Sequence, residues 1–216
     1  MIEFPSRAAF GKKIMLIQLR KEGLPNRLAG LVKSLVWAFK LCPSTVQLAA
    51  TESVKEIEVM DLTVKESCSN LRLLGAVITA LDRLIPNPLI FRVYNEDGTP
   101  REIAFNLKTS GGEMTGTSDV FRLFRTTDEM TLPAGVMNLE SFYKNFAASV
   151  GGLSAAPNES IRDLEERHYT VESLRCDLRD VERKLLKESQ FDLKYELSKE
   201  KQRIAKEIEK CLNSKK

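Results

Sequence analysis

SVKEIEVMDLTVKESCSNLRLLGAVITALDRLIPNPLIFRVY, residues 53–94, sets the architecture of this chain. Its first third, Ser53 to Glu66, is rich in β-branched residues and partly alternating, the pattern of a strand; the apolar phase slips near Val59 and Met60, as at a bulge. Leu71, Leu74, Val77, Ile78, Leu81 and Ile85 then recur at helical spacing up to Pro86. Leu89 to Tyr94 reads as a second strand. Strand, helix and strand in this order make a crossover with a parallel pair.

Working outward, NEDGTP at 95–100 supplies turn chemistry through Asp97 and Gly98, so Arg101 to Lys108 is predicted to return as a hairpin partner. Asp119 to Thr126 reads as a further strand, and Leu139, Phe142, Tyr143, Phe146 and Val150 line one face of a closing helix. On the N-terminal side, a short helix is expected around Ile14 to Lys21. NRLAGLVKSLVWAFKL, 26–41, places Leu28, Leu31, Val32, Leu35, Val36 and Phe39 at helical spacing, and a second helix is predicted up to Pro43. The expected fold is therefore α+β: a small mixed sheet of about four strands with N-terminal helices and a crossover helix. It fills residues 1–150, followed by a small, polar linker at 151–160.

The tail, 161–216, has a different character. No glycine or proline occurs from Asn158 to Lys216. Ile161, Leu164, His168, Val171, Leu174, Leu178, Val181 and Leu185 follow one another at steps of three or four, and Leu197, Ile204 and Ile208 continue a weaker seam, as in a coiled coil. Around Ser189 the phase is lost: Phe191, Leu193, Tyr195 and Leu197 alternate, and Ser189 with Asp192 offers a variant capping box. A corner near Glu188 and Ser189 would make an antiparallel helical hairpin. A straight dimeric rod is the alternative.

Charge and composition exclude several classes. The 216 residues carry 33 basic and 30 acidic side chains, too balanced to indicate nucleic acid by net charge. The distribution is uneven, since residues 1–40 hold eight Lys or Arg against Glu3 and Glu22. Lys12, Lys13, Arg20, Lys21 and Arg27 are the candidate phosphate contacts. The four cysteines, without CxxC spacing, suit reduced thiols in a cytoplasmic protein, and no apolar run reaches the length of a membrane span.

No catalytic or metal motif survives inspection, and no cofactor is implied. GGEMTGTS, 111–118, nearly fits a phosphate-binding loop but has Thr117 where the lysine should be. Asp61, Glu102 and Lys108 would suit a metal-dependent nuclease only if the sheet gathered them. His168, the only histidine, lies on the seam and reads as a packing residue; Cys42 and Cys211 read as small hydrophobes. Trp37 is either part of a wide apolar face or an exposed anchor.

FGKKI, LVWAFKLCPSTVQL, VKEIEVMDLTV, LDRLIPNPLIFRV, GVMNLESFYKNFAASV and KESQFDLKYELSKEKQRI, in this order, resemble the bacterial domain-of-unknown-function family four-three-nine-one. The resemblance implies an accessory protein without an assigned catalytic centre, encoded beside helicases and DNA methyltransferases of restriction or phage-defence type. It carries over no functional residues. The expected role is a non-catalytic adaptor whose tail seam (Leu164, Val171, Leu174, Leu178, Val181, Leu185, Leu197, Ile204, Ile208) meets a helicase, ATPase or methyltransferase, or a second copy. A nuclease-like enzyme and a direct DNA-binding subunit are the rivals.

Overall fold

The computed structural model describes residues 2–110, 120–156 and 158–213, and the phosphate-loop-like stretch at 111–118 lies outside them. The chain runs β1 (Ala9–Ile14), α1 (Leu16–Lys21), α2 (Asn26–Ala29), β2 (Val32–Leu41), α3 (Pro43–Val46), β3 (Ile57–Val64), α4 (Leu71–Leu84), β4 (Leu89–Tyr94), β5 (Pro100–Phe105), β6 (Phe124–Thr126), α5 (Leu139–Val150), α6 (Ile161–Lys187) and α7 (Phe191–Leu212). The strands form one mixed sheet in sequence order, β1 to β6. Only β3 and β4 pair parallel, joined by α4, and every other neighbour is antiparallel.

The crossover unit forms as its sequence requires. Asn70 caps α4 by accepting the Leu73 N–H at 3.0 Å, and Leu74, Val77, Ile78 and Leu81 are fully buried beneath it. The β4–β5 turn closes through the Gly98 N–H to the Asn95 carbonyl, with Gly98 at φ 88°, a conformation that glycine adopts freely. Asn138 and Ser141 bond reciprocally to start α5.

The sheet has six strands rather than four: β1 at Ala9–Ile14 had no expected counterpart, and the other difference lies in 26–41. Here the expected helix is four residues of α2 followed by the ten-residue strand β2. In β2 the buried positions are Val32, Leu35, Ala38 and Leu41, every third residue. A regular strand buries every second residue. The register with β3 slips between Val32 and Ser34 and again between Trp37 and Phe39, so Lys33 and Ala38 are extra residues. The first bulge stretches the step from Val32 to Leu35, Ala38 is the extra residue of the second, and Leu41 lies on the face opposite Leu35, so two bulges together with burial on both faces imitate helical spacing.

The phase slip expected in β3 belongs to this partner strand. Val59 and Met60 are adjacent and both buried because β3 is central and covered on both faces. The residues read as the strand up to Lys108 leave the ladder after Phe105; of the strand expected from Asp119, which lies outside the described residues, Val120–Arg122 form a 3-10 turn before the short β6.

Residues paired across neighbouring strands point to the same face. Leu62, Val93 and Glu102 therefore share the face covered by α4, while Asp61, Arg92 and Ile103 share the opposite one. Phe105 on that opposite face packs against Tyr143 and Phe146 of α5, with ring centroids 5.9 and 5.7 Å away. No helix among the described residues is long and apolar enough to cross a membrane.

Candidate functional site

The tail folds as a hairpin. Ser160 and Asp163 cap α6 reciprocally, and α6 then runs for 27 residues, about 40 Å. It stops at Glu188, whose Oε1 accepts the backbone N–H groups of Ser189 at 2.8 Å and Gln190 at 2.9 Å. The carboxylate of Glu188 thus does the work expected of a Ser189–Asp192 box, and Gln190 is the N-cap of α7 without a side-chain bond. Lys201 pairs with Glu182 at 2.8 Å, and Arg167 Nη1 donates to the Cys211 carbonyl at 3.2 Å. These cross-links fix the two helices antiparallel.

The seam residues divide by depth. Leu164 and Val171 sit in the core shared with the sheet. Val181 and Ile204 are buried along the hairpin, and Leu174, Leu178, Leu185, Leu197 and Ile208 are half-buried there. The seam closes largely within the chain. What remains uncovered is the turn end, where Leu186 is 87% exposed, Phe191 81%, Tyr195 55% and Leu193 47%. Seam logic passed over Leu186 and treated the alternation of Phe191, Leu193 and Tyr195 as lost phase. That alternation was the available signal, because apolar side chains off the seam have no partner inside a hairpin.

The root of the hairpin is held differently. Arg167 forms a two-pronged pair with Glu159 at 2.7 and 2.8 Å, and Arg122 reaches Glu165 at 3.2 Å while lying over Tyr169. His168 is buried against Phe124 with centroids 3.8 Å apart, and its Nε2 lies 3.3 Å from the Leu123 carbonyl. Gly151 backs this ring closely: an added Cβ would fall 2.9 Å from His168 Nδ1 and 3.2 Å from Phe124 Cδ1. Gly151→Ala is expected to destabilise the protein by about 1–3 kcal/mol through overpacking, read from the urea midpoint.

Lys12, Lys13, Arg20, Lys21 and Arg27 are all exposed. None makes an ion pair among the described residues. Lys12 and Lys13 lie on β1, the outer strand of the sheet, and the others on α1 and α2.

The nuclease set is not gathered. Asp61 and Glu102 point to opposite faces of the sheet by register. Asp61 holds Arg92 through two bonds of 2.6 and 2.8 Å, and Glu102 holds Arg101 at 3.1 Å and Arg125 at 2.6 Å. Lys108 belongs to a third group: its Nζ lies 3.3 Å from Asp82 Oδ1 and donates to the carbonyls of Asp82 and Ile85, while Asn106 Nδ2 donates to Asp82 Oδ2 at 2.8 Å. Tyr143 donates its hydroxyl to the Asn106 carbonyl at 3.1 Å. Burial pushes the Asp82 carboxyl up and the Lys108 ammonium down. Among the described residues no three His, Cys, Asp or Glu side chains are placed to hold a metal ion.

Cys42 is more than a small hydrophobe. Burial raises its thiol, but hydrogen bonds with the Ser44 and Thr45 hydroxyls outweigh that and leave its pKa lowered.

The fold and its surfaces define an α+β chain with a six-stranded mixed sheet and a helical hairpin. It belongs to the family described as Domain of unknown function (DUF4391), whose model matches residues 2–208. No curated protein and no solved structure matches the chain.

Proposed function

We propose that the protein is a non-catalytic adaptor, an accessory subunit that presents the turn end of its tail hairpin to a larger enzyme of the helicase, ATPase or methyltransferase kind. One observation carries this reading: Leu186, Phe191, Leu193 and Tyr195, four of the eight exposed large hydrophobics among the described residues, fall within ten positions at the hairpin turn. Apolar side chains gathered at a protruding end are anchors in search of a pocket, because burying each is worth roughly 1.5–3 kcal/mol. The charges around them are mixed, as at the rim of an interface. The rival nuclease reading draws no support from Asp61 and Glu102, which face apart.

The test is capture of co-purifying proteins by the full chain and by the double variant Leu186→Asp, Phe191→Asp. Both positions are exposed, so the variant should melt within a few degrees of the parent. Loss of two anchors predicts capture weakened by at least about 100-fold. Undiminished capture by a folded double variant would sink the adaptor reading. If instead the parent captures only its own copies, the partner is a second protomer.

A further inference from the structure

A second surface lies on the sheet, away from the tail turn. Phe10 on β1 is 48% exposed, and its ring rests on that of Trp37 with centroids 4.4 Å apart. Lys12 is the direct cross-strand neighbour of Trp37 and shares its face; Lys13, next along the same outer strand, pairs with Val36 and points to the opposite face. Gly11, at φ 67°, makes the irregularity between Ala9 and Lys12 that sets this arrangement. Lys40 Nζ lies 5.9 Å from the Trp37 ring, although Glu56 already pairs it at 2.6 Å. Arg20 and Lys21 follow in the helix just beyond. Glu3 and Glu22 are the only acids in the first forty residues.

Cations on a folded surface are ordinarily interspersed with carboxylates, and most ion pairs of this chain lie elsewhere. Here Lys12 stands unpaired on the face of a half-exposed aromatic pair, Lys13 is unpaired on the opposite face of the same edge strand, and Arg20 and Lys21 are unpaired on α1, the helix that follows it. A polyanion satisfies the charges; a flat aromatic face adds a place for a base to stack. Duplex DNA would use only the first, since its base faces are covered. An acidic peptide would likewise leave the ring idle. We propose that the β1 edge, with Phe10 and Trp37 as stacking platform and Lys12, Lys13, Arg20 and Lys21 as phosphate contacts, binds single-stranded nucleic acid.

Trp37 is the only tryptophan in the chain, so its fluorescence reports on this surface alone. Titrating the full protein with a thymidine oligonucleotide of about 20 nucleotides should quench it saturably. With four phosphate contacts, raising salt about fourfold should weaken binding on the order of 50-fold. Anisotropy of a labelled oligonucleotide then tests the parts: Phe10→Ala should cost about five- to 100-fold, with Phe10→Tyr restoring it. Lys12→Glu with Lys13→Glu should remove about half of the salt dependence. Absence of saturable binding overturns the proposal. So does a duplex bound as tightly as the single strand, or a poly-glutamate peptide bound more tightly than the oligonucleotide. The variant at Leu186 and Phe191 should bind the oligonucleotide normally, so this inference and the adaptor reading fail separately.

Discussion

Lys108→Met is expected to cost about 3–5 kcal/mol of folding stability, because it leaves a buried carboxylate without its cation. The Asp82 and Lys108 side chains are 0% and 2% exposed, and their closest approach is 3.3 Å. Asp82 Oδ1 makes no hydrogen bond, so the ammonium is the main compensation for that oxygen. The cluster ties three elements together: α4 through Asp82, the extension of β5 through Asn106 and Lys108, and α5 through Tyr143. For a chain of this length the loss corresponds to a fall in Tm on the order of 10 °C. Asp82→Asn in the same chain as Lys108→Met removes both charges and should recover more than half of the loss. A single variant that melts like the parent, or a double variant no better than the single, would show that the pair contributes little.

The same cluster shows what a sequence conceals. Lys108 is legible as a lysine on a strand, and its natural interpretation is either a solvated face or a catalytic cation. Nothing local marks it as buried, because its partner sits 26 positions away on α4. By contrast, α4, β4, α5 and the hairpin corner were legible from short-range signals: helical spacing, a tight turn at Gly98, and phase loss after Glu188. These segments satisfy their own pattern, and tertiary context only places them.

The strand β2 failed for the opposite reason. Its pattern was strong, but two bulges in the pairing with β3, together with burial on both faces of the strand, produced a spacing near three. A non-local cause produced a local imitation, and β1, whose residues are nearly all exposed, offered no pattern to correct it. The candidate surfaces divide in the same way. The five basic residues are where a count of charge put them, on the outside and unpaired. The seam is apolar and periodic in the sequence, and the hairpin uses much of it internally. The exposed anchors are the residues that break the period.

His168 makes a pH-dependent joint between tail and body. Its Nε2 faces the Leu123 carbonyl at 3.3 Å, which requires the proton on Nε2 and leaves Nδ1 as the bare nitrogen. Nδ1 is buried, without a hydrogen-bond partner, and turned toward Gly151. A second proton would therefore place a charge and an unsatisfied N–H in an apolar wall. Burial lowers its pKa to about 4; the Leu123 carbonyl and Glu172 pull the other way, and Arg175 adds to the lowering. In the unfolded chain the same group titrates near 6.5. Between these values the unfolded state holds the extra proton, so stability falls as pH falls, by about 1.4 kcal/mol per pH unit. The window opens below roughly pH 6.5 and closes near pH 4, and above it His168 contributes no pH dependence. Urea unfolding of the parent and of His168→Gln at pH 7.5 and pH 4.5 isolates this effect, since carboxylate titrations are common to both chains. The parent's advantage over the variant should shrink by roughly 2–3 kcal/mol at the lower pH. An advantage unchanged between the two pH values would mean that the buried ring accepts its proton without penalty.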